Sequence, residues 1–225
     1  MRGTIVNVIA VVAGSLLGVF LKGRFPEKVK EIIMQGLGLA SCLIGIQMAL
    51  ESKNILIVIF SLVIGGICGE LIGIEKKLNG AGAYIQRKLA REDDLFIQGF
   101  VQATLVFCIG AMAIMGSIQD GINNDPTILY NKSIMDGFAS IAFAASTGVG
   151  VLFSAIPVLL YQGGITLLAS IVARFLSEAM ILEMTATGGL LIFAIGLNLL
   201  KIGKVKVGNL LPSLLFAILF SAFIL

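Results

Sequence analysis

Long apolar stretches alternate with short charged clusters along the whole chain, and this pattern predicts a series of membrane-spanning helices. The apolar runs cover 4–21, 32–50, 55–74, 95–115, 138–160, 163–176, 185–200 and 207–225. A hydrocarbon core of roughly 30 Å takes about 20 apolar residues per helix. About eight such runs in 225 residues leave little chain for a soluble domain. Lipid offers no hydrogen bonds to the backbone, so each run is expected to be a helix. The short alternating strands of a membrane β-barrel are not seen. The expected fold is all-α, a polytopic transmembrane helix bundle of about eight spans.

Composition agrees: 58% of residues are hydrophobic and 13% charged. The first run lacks a small-x-small cleavage pattern and carries Gly14 and Gly18 at helix-packing spacing, so it is expected to stay in the mature protein. The 27 glycines suit close helix approach in lipid. Cys42, Cys68 and Cys108 fall inside apolar runs and read as small packing residues, not disulfides or metal ligands. There is no His, which removes the commonest transition-metal ligand and the commonest acid–base side chain. No metal and no cofactor is expected.

Basic residues give an orientation. Lys22, Arg24, Lys28 and Lys30 follow the first run; Lys76, Lys77, Arg87, Lys88 and Arg91 follow the third; Lys201, Lys204 and Lys206 follow the seventh. With eight spans and both termini outside, these twelve of the sixteen Lys and Arg residues lie in the cytoplasm, and Arg2, Lys53, Lys132 and Arg174 lie outside. The positive-inside rule favours that arrangement. The segment 75–94 reads either as a solvated loop or as a short interfacial helix. In the second reading Tyr84, Ile85 and Leu89 form its apolar face, with Arg87, Lys88 and Arg91 toward lipid headgroups. A net charge of +3 in this setting is topology, and nucleic-acid binding is not expected.

The two ends of the chain resemble each other. GSLLGVFL (14–21) matches ASIVARFL (169–176), and IGIQM (44–48) matches IGLNL (195–199), keeping a side-chain amide in place. A partial third echo occurs at GELIG (69–73) and at Ile109-Gly110. The single transmembrane domain, 1–225, therefore reads as a first repeat at 3–74, intervening spans at 95–160 and a second repeat at 163–225. In the eight-span topology the two triplets run oppositely, the inverted repeat found in many secondary transporters.

Embedded polar residues are costly in lipid and cluster where helices or water meet them. Asp136, Ser140, Thr147 and Ser154 share a helical face, Gly148 and Gly150 interrupt that helix, and Pro157 ends or kinks it. The string GSIQDG (116–121) reads as a shaped turn, with Gln119 inside it; Asp120 and Asp136 bracket an outer loop that attracts cations. Gln98 and Gln102 share a face of the fourth run, and Gln47 and Asn198 are the repeat-related amides. Gln162, beside two glycines, marks a tight connection approaching the interior. Glu70 reads as an ion-paired structural residue near the cytoplasmic interface or as a coupling carboxylate, and Arg174 with Glu178 and Glu183 as an end-of-helix charge cluster. Gln47, Glu70, Gln98, Gln102, Gln119, Asp120, Asp136, Ser140, Thr147 and Asn198 are the candidate pathway residues; each also admits a reading as helix-packing or turn chemistry.

The strings GSIQDG (116–121), KSIMDGFASIAFAASTGVGVLFSA (132–155), LLYQGGITLLA (159–169) and TATGGLLIFAIGLNLL (185–200) resemble a bacterial inner-membrane family known as domain of unknown function 554, with YdfK- and YqgA-type members. The similarity covers essentially the whole chain. It implies a small helical plasma-membrane protein with a transporter label, and it supplies no substrate and no catalytic residues. The expectation is a small secondary transporter or channel for a small solute or ion across the bacterial cytoplasmic membrane, with the lipid bilayer and that solute as partners and a homodimer as its assembly. The alternatives are a non-transporting membrane scaffold or sensor and, with least support, an intramembrane enzyme. No nucleophile–base pair is present, so the chain is not expected to be an enzyme.

Overall fold

The protein is seen here in a computed structural model that describes residues 1–22, 26–88 and 95–224. Arg24 and Arg91 of the basic clusters above, and Leu89 of the apolar face read for the segment 75–94, lie outside the described residues. Among the described residues every regular element is helical: α1 Arg2–Lys22, α2 Glu27–Ala49, α3 Ile55–Ile72, α4 Ile74–Lys88, α5 Phe96–Cys108, α6 Ala111–Asn123, α7 Thr127–Thr147, α8 Gly150–Phe153, α9 Ala155–Leu167, α10 Ala169–Phe175, α11 Glu178–Leu199 and α12 Pro212–Ile224, with a 3-10 turn at Val207–Leu210.

The helices are inside-out relative to a soluble protein. In α3 the buried positions include Ser61, Gly65 and Gly69, whereas Leu56, Ile59, Phe60, Val63, Ile67 and Leu71 are exposed. Large apolar side chains outside and small or polar ones inside are what lipid as solvent selects, because packing, not hydrophobic exclusion, joins helices there. Among the described residues six helical stretches are long and apolar enough to cross a membrane: Arg2–Lys22, Glu31–Ala49, Ile55–Ile72, Gly150–Leu167, Glu178–Leu199 and Val207–Ile224. The count is up to seven if the bent pair α5–α6 is one span. The expected count of about eight is thus not reached on length and composition.

Several boundaries differ from the apolar runs, each for a local reason. The run 95–115 is broken between Cys108 and Ala111 with a 60° bend, where Gly110 takes a φ of +135°. The run 138–160 is shared by three helices, α7, α8 and α9. Its first part belongs to α7, which starts at Thr127 and stops at Gly148, whose φ of 92° strongly favours glycine. Pro157 sits in the first turn of α9, where a missing N–H is tolerated, so it neither ends nor kinks that helix. The run 163–176 is divided between α9 and α10 at Leu168. GSIQDG is not a turn but part of α6; Gly116 and Gly121 are there because Leu129 and the Thr166 carbonyl press against them.

The chain forms two compact units. The first comprises Met1–Gln35, Ala81–Cys108 and Met112–Arg174. Its centre is the pairing of α1 with α7. A Cβ on Gly14 would collide with the carbonyl oxygen of Gly137, and one on Gly18 with that of Ile141, so the two backbones touch along a small-residue seam. The buried stripe of α1 is Thr4, Asn7, Val11, Gly14, Ser15 and Gly18, spaced to make one continuous face. In the same unit α5 packs against the end of α7 and α8 through Gly99 and Gly150.

The second unit comprises Gly36–Gly80, Ile109–Ala111 and Phe175–Leu225. Here α2 runs antiparallel to α11, Gly38 meeting Gly196 and Gly45 meeting Gly189. In the same way α3 runs antiparallel to α12, with Gly65 against Ser213 and Gly69 against Asn209. Glu183 on α11 is fully buried and accepts from the Ser52 hydroxyl (2.6 Å) and from the backbone N–H groups of Lys53 (2.7 Å) and Asn54 (3.1 Å). It ties the turn before α3 to α11, whereas the sequence suggests only a charge cluster with Arg174.

Candidate functional site

The richest polar cluster in the first unit is built where α1, α7 and α9 meet. Asp136 and Lys132 lie one turn apart on α7, and both are 6% exposed. The Lys132 ammonium donates to Asp136 Oδ2. Asn7 on α1 uses both protons of its amide nitrogen, one to Asp136 Oδ2 (3.0 Å) and one to Gln162 Oε1 on α9 (3.1 Å). Thr4 and Thr166 pair hydroxyls at 3.3 Å, joining the same two helices. Ser133 is buried beside Lys132 and donates to Leu129 O. Cys108, at the end of α5, lies within electrostatic reach of Lys132 and Asp136, and Tyr161 within reach of Cys108.

Among the described residues, two fully buried amide atoms of this network have no hydrogen-bond partner, Asn7 Oδ1 and Gln162 Nε2. Both residues are fully buried. An orphaned amide atom in a low-dielectric interior costs about 1–3 kcal/mol, and most proteins avoid it. A buried ion pair whose neighbours are partly unsatisfied is a poor stabilising element.

Two carboxylates hold the starts of α1 and α7, the helices that carry Asn7 and the Lys132–Asp136 pair. α1 begins beside Asp120 of α6, whose Oδ2 accepts from the Gly3 N–H at 3.0 Å and lies 2.8 Å from the Met1 amino group. Asp120 is 2% exposed, so it anchors the positive end of α1 and does not face an open mouth. At the turn between α6 and α7, Asp125 accepts from the Thr127 hydroxyl (2.5 Å), the Thr127 N–H (3.0 Å) and Gln119 Nε2 (2.6 Å). These bonds, led by that from the Thr127 hydroxyl, hold the Asp125 carboxyl below its ordinary pKa.

The other candidate pathway residues are distributed as follows. Ser140 and Thr147 are buried on α7, and each hydroxyl donates back to its own helix, to Asp136 O (2.5 Å) and Phe143 O (2.8 Å). Ser154, past the Gly148 break, does the same to Val151 O. Gln98 is half-buried on α5, and Gln102 is buried with Oε1 unpartnered. Gln47, Glu70 and Asn198 belong to the second unit. There Gln47 is exposed, and Asn198 is spent on both backbone groups of Val205, closing the loop after α11. Glu70 is exposed and accepts from Lys206 (2.7 Å) and Asn209 (2.5 Å), while Glu75 fixes the same turn through Gly208 (2.6 Å). The structure therefore gathers Asp136 with Ser140 on α7, but not with Gln47, Glu70 or Asn198 in one unit.

The sequence reading assigned Lys132 to the outer side and passed over Asn7. Their signal was present: Lys132 and Asp136 stand at i and i+4, and Asn7 is the one side-chain amide within the first apolar run. Among the described residues no group of three or more His, Cys, Asp or Glu is placed to hold a metal ion.

Two relatives match nearly the whole chain, and neither name assigns an activity. The uncharacterized membrane protein YdfK of Bacillus subtilis (strain 168) is 35% identical, over 96% of this chain and 93% of its own length. The uncharacterized protein YqgA of Escherichia coli (strain K12) is 34% identical, over 98% of this chain and 96% of its own. No solved structure matches the chain. The model of the family described as "Protein of unknown function (DUF554)" matches residues 2–222, and the chain belongs to that family.

Proposed function

We propose that this chain is a small secondary transporter or channel of the bacterial cytoplasmic membrane, moving a small solute or ion. The observation that carries the reading is the Lys132–Asp136 pair, buried with Asn7 Oδ1 and Gln162 Nε2 unpartnered beside it. Ionisable residues inside a membrane are expensive and line pathways or relays when they are kept. The bent α5–α6 pair and the Gly148 break after α7 add interrupted helices of the kind that expose backbone groups at transport sites. Adding α5–α6 and α7 to the six long apolar helices gives eight crossings. The antiparallel pairing of α2 with α11 and of α3 with α12 is what an inverted repeat requires, and it supports that reading.

The back-bonded hydroxyls of Ser140, Thr147 and Ser154 favour the second reading, a dry scaffold or sensor. On either reading the chain acts without catalysis or cofactor, in lipid, and as a homodimer. The transport reading is tested with proteoliposomes given an osmotic step with a panel of small polar solutes and salts. Light scattering should show faster re-swelling than in protein-free liposomes for at least one of them, lost in Lys132→Met. Identical traces across the panel would leave the scaffold reading.

A further inference from the structure

The unused hydrogen-bonding capacity of the α1–α7–α9 cluster is lopsided. An ammonium has three donors, and Lys132 makes one hydrogen bond among the described residues, to Asp136. Both protons of Gln162 Nε2 are unused. Against these four N–H donors stand two oxygens without a hydrogen bond among the described residues, Asn7 Oδ1 and Asp136 Oδ1. An occupant that completes the cluster is therefore rich in acceptors and small. The cluster already holds such a group: the Asp136 carboxylate accepts from Lys132 and from Asn7 Nδ2.

We propose that Lys132, Asn7 and Gln162 form a binding site for a small monocarboxylate, in which the Asp136 carboxylate is the resident stand-in and yields when it takes up a proton. The proposal rests on the transport reading and names its substrate class and its coupling ion. The charge balance dictates the coupling. With Lys132 and Asp136 both ionised the site is neutral, and adding an anion would leave a net negative charge in the membrane, which is costly. When a proton from the aqueous phase binds an Asp136 carboxylate oxygen, the lysine charge is uncompensated and the anion restores neutrality. One proton and one carboxylate then occupy the site together, and no covalent bond or oxidation state changes. The titratable groups within electrostatic reach are Lys132 on the same helix as Asp136 and Cys108 on α5, with Tyr161 on α9 within reach of Cys108. From α1 the neighbour is the amide of Asn7.

The test uses the purified full-length chain in detergent, with formate as the probe and chloride at equal ionic strength as the reference. Thermal unfolding is followed at about pH 5 and about pH 7.5. The expected result is a formate-specific rise in Tm of roughly 2–4 °C at the lower pH and none at the higher. Asp136→Asn, fixed in the neutral form, should show the rise at both pH values, and Lys132→Met at neither. The native chain carries the test even if a variant fails to fold. No formate-specific rise in the native chain at either pH, or an equal rise in Lys132→Met, overturns the proposal. Re-swelling of the proteoliposomes by other solutes would then leave the transport reading standing without it.

Discussion

Lys132 and Asp136 each carry a charge that the membrane interior tolerates only because the other is one turn away. Removing one partner strands the other, which costs about 3–5 kcal/mol, whereas replacing both by apolar groups is often neutral. Lys132→Met alone should therefore lower the thermal midpoint strongly, and Lys132→Met with Asp136→Leu should recover most of the loss. Strictly additive losses in the double variant would mean that the two side chains do not act as a pair. Glu183 makes the same point with backbone donors. Glu183→Ala removes the acceptor from the Ser52 hydroxyl and from two N–H groups, and each lost bond costs about 1–3 kcal/mol where the donor stays buried. Denaturant unfolding with a wild-type midpoint would show that the turn before α3 is held by other means. Asp125 supplies a pH dependence. Its carboxyl is lowered in the folded chain, so its contribution is present above the unfolded pKa and is lost as pH falls through the lower folded value. Asp125→Asn should flatten that acid limb of stability, and an unchanged limb would assign it to other groups.

At the scale of elements, the packing rests on glycine seams. Gly14→Leu and Gly18→Leu should separate α1 from α7 and reduce the yield of folded protein in membranes, because the carbonyl oxygens of Gly137 and Ile141 occupy the space a side chain needs. Gly164→Ala meets nothing within 4 Å and should be neutral or stabilising by up to about 1 kcal/mol. Similar behaviour of all three variants would show that the α1 seam does not carry the fold. These seams were legible in the sequence, since glycines four apart in an apolar run have few other uses. The ends of helices were less legible. GSIQDG looks like a turn by the rules of soluble proteins, yet in lipid its glycines mark contact with Leu129 and Thr166, and Asp120 is used to anchor α1. The start of α7 was hidden for a related reason. Lys132 and Asp136 lower its hydropathy, so the apolar pattern begins only at Phe138, although the helix begins at Thr127. The residues of the polar cluster lie far apart in sequence, and Asn7 and Gln162 pair across 155 positions that no local pattern relates.

At the scale of the whole molecule, the chain is a helical membrane protein whose first unit encloses a charged, incompletely satisfied cluster within a small-residue frame. The central claim is that water and a small solute reach this cluster. Ser133 and Thr166 flank it and are buried, so neither touches bulk solvent in a dry bundle. The direct measurement is labelling of Ser133→Cys and Thr166→Cys, each in a background lacking Cys42, Cys68 and Cys108, by a membrane-impermeant thiol reagent applied to intact and to inverted membranes. Labelling of both positions, at a rate reduced by formate at acid pH, is the predicted result. Complete protection of both from either side, while an exposed loop cysteine reacts normally, would contradict it.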